Sequence, residues 1–135
     1  MFNNLNNFPS RPRLLSPSSL AYIGDSVFEV FIRTFLLEKG GKPNRLHQEA
    51  IKYVNATAQA NLLEELRPEL TKEEAVIVRR GRNTKTNSPS NVDQATYQYS
   101  TAFEALIGYL YLAGEEERLL ELFAKIKELL HADRD

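Results

Sequence analysis

Two carboxylates in this chain stand where carboxylates are costly. Asp25 lies within residues 20–37, an almost wholly apolar stretch, and Glu104 lies within residues 100–108, which is nearly as apolar. An acid among apolar neighbours is expensive to ionise unless a partner or a metal satisfies it. Gly24 and Gly108 stand close by, and Ala21, Ala102 and Ala105 are also small. Small residues let two helix backbones come close. If the two stretches cross here, the acids meet, and two like charges sharing a site need a cation. Mg²⁺ is the natural one, because it takes oxygen ligands and keeps several waters. Zinc is not, since the chain has no cysteine and neither His47 nor His131 has a partner at ligand spacing. The competing account is ion pairing. Asp25, Glu29 and Arg33 fall on one helix face, so Glu29 can pair with Arg33, and Glu104 would then take a distant base. Pattern alone leaves both accounts standing.

A second group is basic. Arg79, Arg80, Arg82 and Lys85 fall within seven residues, with Asn83 among them, and the polar run that follows to Asn91 carries no acid. Arginine forks and free backbone N–H groups suit phosphate. The run has no aromatic residue for stacking on single strands, so a duplex read through its backbone fits better. The plainer account is that bases are favoured at a helix C-terminus anyway. Tyr97, Tyr99, Tyr109 and Tyr111 suit either core or interface.

These groups need helices to carry them. Ser16-Pro17 reads as a cap and first turn, opening a helix over residues 17–39 that Gly40-Gly41 stops. Its inner stripe is expected at Leu20, Ile23, Val27, Phe31 and Phe35, widened by Phe28, Ile32 and Leu36. Pro43 delays the next helix, for which Asn44 is a candidate cap. Residues 55–66 are helical again, either continuous with it or separate, and Pro68 ends the run. There Asn55, Thr57, Gln59 and Asn61 read as an exposed polar face. Thr71 and Glu74 form a capping box for a helix that Gly81 should end or loosen. Asn91 is the candidate cap of a long helix over 92–113. An amphipathic helix follows over 115–130, and residues 133–135 read as a frayed end. No strand alternation persists, so the class is all-α with five to seven helices.

Bulk properties bound the partners. A chain of 135 residues, 42% hydrophobic and 26% charged, makes one domain with a real core. Residues 1–15 read as a loosely held N-terminal arm and residues 16–131 as the folded domain. No apolar run is long enough to span a membrane, and the start of the chain lacks the pattern of a secretion signal. A cytoplasmic location fits the absence of cysteine. A net charge of -1 means that any nucleic-acid surface must be local.

The run Tyr22-Ile23-Gly24-Asp25-Ser26-Val27-Phe28-Glu29 resembles the signature helix of the ribonuclease III family, and Phe103-Glu104-Ala105-Leu106-Ile107-Gly108 resembles its second metal-binding helix. Arg79-Arg80-Gly81-Arg82-Asn83 and the run from Tyr97 to Ala105 bring the likeness closer to the Mini-ribonuclease 3 branch, which lacks a double-stranded RNA-binding domain. The resemblance covers about residues 18–130. It implies an all-α homodimer that cuts double-stranded RNA with Mg²⁺, trims precursor 23S ribosomal RNA, and leaves a 5′-phosphate and a 3′-hydroxyl. A ribosomal protein on the RNA is a candidate further partner. Asp25 and Glu104 match the two catalytic, metal-binding carboxylates, and Arg79, Arg80, Arg82, Asn83 and Lys85 the RNA-binding group. Full-length members use four acidic positions, and two of these are Ala21 and Thr101 here. Thr101 and Glu29, and more remotely Glu49 and Glu64, are candidates to support the metal ligands from behind. The rivals are a non-catalytic double-stranded RNA-binding or ribosome-associated module of the same fold, a helical magnesium pyrophosphatase, and a purely structural helical dimer.

Overall fold

The structure, a computed structural model, describes residues 11–85 and 87–134. Residues 1–10, which hold most of the expected arm, Thr86 in the polar run, and Asp135 lie outside the described residues. The described residues form six α-helices: α1 Pro17–Glu38, α2 Pro43–Val54, α3 Ala56–Leu66, α4 Lys72–Arg82, α5 Gln94–Leu112 and α6 Glu116–Arg134. Short 3-10 turns occupy Pro12–Leu14 and Arg67–Glu69. The end expected to fray from residue 133 continues α6 as far as Arg134.

The local signals explain most of the boundaries. Ser16 caps α1 through the N–H of Ser19 at 3.1 Å, with Pro17 in the first turn. Pro43 does not delay α2 but begins it, because proline in the first turn has no N–H to leave unpaired; the residue before it, Lys42, occupies the cap without a side-chain bond. Asn55 separates α2 from α3. Its Oδ1 accepts from the N–H of Ala58 while its Nδ2 donates to the carbonyls of Ile51 and Lys52. One side chain thus closes one helix and opens the next. Asp93, not Asn91, caps α5, accepting from the N–H of Thr96 at 2.8 Å.

α5 is the hub. It packs most extensively on α1, then on α4 and α3. The α1 stripe is rotated from the expected one. Leu20, Ala21, Gly24, Phe28, Ile32, Phe35 and Leu36 are buried, while Ile23, Val27 and Phe31 are only half-buried. The reason is the crossing with α5. A Cβ added to Gly24 would overlap the backbone carbonyl of Glu104 and come within 2.8 Å of the Gly108 nitrogen. One added to Gly108 would overlap the carbonyl of Leu20. Main chain meets main chain, so the stripe centres on the glycine. Gly81 plays the same part between α4 and α5, where a Cβ would lie 2.7 Å from the Cα of Ala102. α4 therefore runs through Gly81 and ends at Arg82. Beyond the crossing, Phe28 meets Phe103 edge-on at 4.9 Å, and Phe31 stacks on Phe123 at 4.3 Å.

Glu74 completes its capping box with Thr71 and is also 3% exposed. Arg118 of α6 grips it with two donors, Nε to Oε2 at 2.8 Å and Nη2 to Oε1 at 2.9 Å, and reaches the Glu69 carbonyl as well. Burial pushes the Glu74 carboxyl up, but the Arg118 fork and the Thr71 N–H more than offset it and hold it below its ordinary value.

Two stability predictions follow from this packing. Gly24→Ala should lower unfolding stability by about 3 kcal/mol, since overpacking must separate two backbones, whereas Gly40→Ala, with open space around it and φ of 85°, should lose only about 1 kcal/mol. Urea unfolding of each variant checks this. Glu74→Gln should lose about 2 kcal/mol at pH 7. Because the folded Glu74 pKa is depressed, that difference should be present above the ordinary value of 4.5 and shrink as pH falls through the folded value. Unfolding curves taken from pH 7 to pH 3 measure it.

Candidate active site

Asp25 and Glu104 are brought to one place by the glycine crossing. They are hydrogen-bonding neighbours on the wall of an open cleft of about 450 Å³, lined from α1, α3 and α5. Asp25 is exposed and Glu104 half-buried. The expectation that both acids sit deep in apolar surroundings therefore holds only in part: α1 buries its Gly24 side and turns Asp25 outward. Burial pushes the Glu104 carboxyl up to about 8, the hydrogen bond and charge of Asp25 push it the same way, and Gln59 pulls it down.

Among the described residues no base answers Glu104. Glu29 does pair with Arg33, at 3.5 Å, but that pair is on the surface. It sits one turn beyond Asp25 and away from the cleft lining. Ion pairing thus accounts for Glu29 and leaves Asp25 and Glu104 facing each other. Glu49 pairs with Arg45 at 4.0 Å and Glu64 with Arg67 at 3.4 Å, and neither lines the cleft. Thr101 does line it, 8% exposed, with its hydroxyl donating to the Tyr97 carbonyl at 3.1 Å.

Gln59 was expected on an exposed polar face and is instead 2% exposed, on the cleft side of α3. Its Nε2 donates to Glu104 Oε2 at 3.4 Å. The spacing held the signal. Gln59 precedes Leu62, Leu63 and Leu66 by three, four and seven residues, which is the buried face of that helix.

The basic group divides. Arg80 is half-buried and committed: Nη1 donates to the Arg13 carbonyl at 2.6 Å and Nη2 to the Leu15 carbonyl at 2.8 Å. The described end of the expected loose arm is therefore pinned to α4. Arg82 lies over the Tyr99 ring at 5.7 Å. Arg79, Asn83 and Lys85 are exposed, and Asn83 ends α4. Tyr99, Tyr109 and Tyr111 pack against the core, whereas Tyr97 lines the cleft.

Could this pair hold a divalent cation? Among the described residues no cluster of three or more His, Asp or Glu exists. Mg²⁺ commonly takes only one or two carboxylates and completes its shell with water and substrate phosphate. Two acids held against each other without a base, at the edge of an open cleft, fit that donor set.

Comparison with known proteins gives the family and the fold. Residues 18–115 match the Ribonuclease III domain family. The chain is 52% identical to Mini-ribonuclease 3 of Symbiobacterium thermophilum, over 84% of this chain and 88% of that protein. It is 48% identical to Mini-ribonuclease 3 of Staphylococcus aureus, over 84% and 88%. A crystal structure of a Fusobacterium nucleatum protein superposes with a TM-score of 0.79 at 30% identity, covering 87% of this chain and 96% of that one. The chain belongs to the ribonuclease III family, within its Mini-ribonuclease 3 branch, and is an endoribonuclease.

Proposed function

We propose that the chain is a Mg²⁺-dependent enzyme that cuts double-stranded RNA as a homodimer, matures the ends of precursor 23S ribosomal RNA in the cytoplasm, and leaves a 5′-phosphate and a 3′-hydroxyl. The observation that carries this reading is the meeting of Asp25 and Glu104 without a counter-charge at the glycine crossing. A divalent cation, when bound, lowers the pKa of a water and offsets charge on the attacked phosphate. Asp25 and Glu104 are the residues that would hold it, and Glu104 must give up its proton to do so. The cleft is open, so a duplex backbone can reach the acids without the bases having to leave their stack. Arg79, Arg82 and Lys85 are the groups we assign to RNA phosphates, with Asn83 beside them. Arg80 acts on this surface by holding residues 13 and 15 in place.

Support for a dimer comes from α1 and α2. Val30, Leu37 and Ile51 are each more than half exposed. A groove lined by Leu37, Pro43 and Leu46, with Arg33 and His47, lies between the two helices. Exposed apolar side chains on these two helices suit a second protomer. No helix among the described residues is long and apolar enough to cross a membrane.

A cleavage assay on structured double-stranded RNA tests the reading. Wild type should cut only with Mg²⁺ present, and Asp25→Asn and Glu104→Gln should each bind RNA yet lose at least about a hundredfold in rate, the size expected when a positioned charge is removed. Cutting by either variant at the wild-type rate would move the active site elsewhere, and wild-type binding without cleavage would favour the non-catalytic module. Replacing Arg79, Arg82 and Lys85 by alanine should raise KM, leave kcat nearly unchanged, and flatten the dependence of RNA binding on salt by roughly one unit of log–log slope per lost phosphate contact. Filter binding across a salt series measures that slope.

A further inference from the structure

A buried amide stands behind the acid pair, and neither the helix packing nor the pairing of charges accounts for it. α3 delivers the side chain of Gln59 to the cleft, 2% exposed, on the face that otherwise carries Leu62, Leu63 and Leu66. Burying an amide there costs free energy unless it is hydrogen-bonded. Its Nε2 bond to Glu104 Oε2 is long, at 3.4 Å, and joins α3 to α5. A leucine at the same position would fill similar space and continue the apolar face, so packing alone does not call for glutamine.

We propose that Gln59 is the positioning residue of Glu104. Glu104 lies between two partners of opposite effect. Asp25 repels a charge there, whereas the Gln59 N–H donates to Oε2 from α3 and attracts one. A carboxylate on a flexible stem has several rotamers, and a donor fixed on another helix selects one of them. The selected one keeps the carboxyl group at Asp25, where the pair can act as a joint oxygen donor. Partners of this kind orient metal ligands, and their loss typically weakens metal affinity by about 10- to 100-fold. The inference rests on the assignment of Asp25 and Glu104 as the cation ligands.

The test uses the full chain and Mn²⁺, an oxygen-seeking, paramagnetic stand-in for Mg²⁺. Free Mn²⁺ is followed by electron paramagnetic resonance, without RNA, for wild type, Gln59→Leu, Gln59→Met and Glu104→Gln. The two Gln59 variants keep the volume and remove the donor. They should melt at or above the wild-type temperature and bind Mn²⁺ about 10- to 100-fold more weakly. In cleavage assays their half-saturating Mg²⁺ concentration should rise in step, with KM for RNA unmoved. A merely structural glutamine would give the reverse, a lowered melting temperature with metal affinity unchanged. Mn²⁺ affinity within about threefold of wild type in both Gln59 variants, with Glu104→Gln impaired, would overturn this proposal alone. No Mn²⁺ binding by wild type, or unaltered binding by Glu104→Gln, would overturn the assignment of the ligands, and this proposal with it.

Discussion

The molecule depends on one steric constraint, the contact of the α1 and α5 backbones at Gly24 and Gly108. Helices that meet through side chains keep their axes about 8–10 Å apart. Here the side chain is missing on both sides, and each glycine faces the other helix's main chain. Three consequences follow. α1 turns so that Gly24 faces inward, which carries the buried stripe to Leu20, Phe28 and Ile32. The next residue, Asp25, is turned outward. Glu104, one helical turn before Gly108, comes up against Asp25. The acid pair is thus set by main-chain contact, with side-chain packing in a supporting role.

Two pairings that involve glutamate show opposite solutions to one problem. Glu74 is buried and fully answered: a two-pronged arginine and a backbone N–H hold it, and its charge is favoured. Glu104 is half-buried and answered only by another acid and a neutral amide, and its charge is disfavoured. The first arrangement caps α4 and ties it to α6. The second leaves an electrostatic debt that a cation can settle, and perturbed groups of that kind gather at functional sites.

How much of this was legible in the sequence varied with the range of the interaction. Ser16-Pro17, the Thr71–Glu74 box and the Gly40-Gly41 stop are local, and the structure follows them. Gly24 and Gly108 were legible as a close approach because they recur beside the acids. The misses came where two readings of one residue compete. Pro43 both forbids a helix interior and favours a helix start. Gly81 both weakens a helix and permits a close crossing, and the crossing prevails because α5 supplies the contact. Asp93 and Asn91 are both good caps, and only the course of the preceding loop separates them. Gln59 was hidden among polar neighbours although its spacing to three leucines was in plain view. The partner of Glu74 lies 44 residues away, and that of Arg80 is a backbone carbonyl, so no short-range pattern could name either.

Arg80 carries a consequence for how this chain can vary. Both of its terminal nitrogens are spent on carbonyl oxygens at positions 13 and 15. Every amino acid has that oxygen. The clasp is therefore blind to the identity of the residues it holds, and drift at those two positions leaves it intact. Lysine, a single point of charge, cannot span two carbonyls as the planar fork does. Freedom on one side of the contact and none on the other is the pattern that relatives of this chain should display wherever the leading segment is docked.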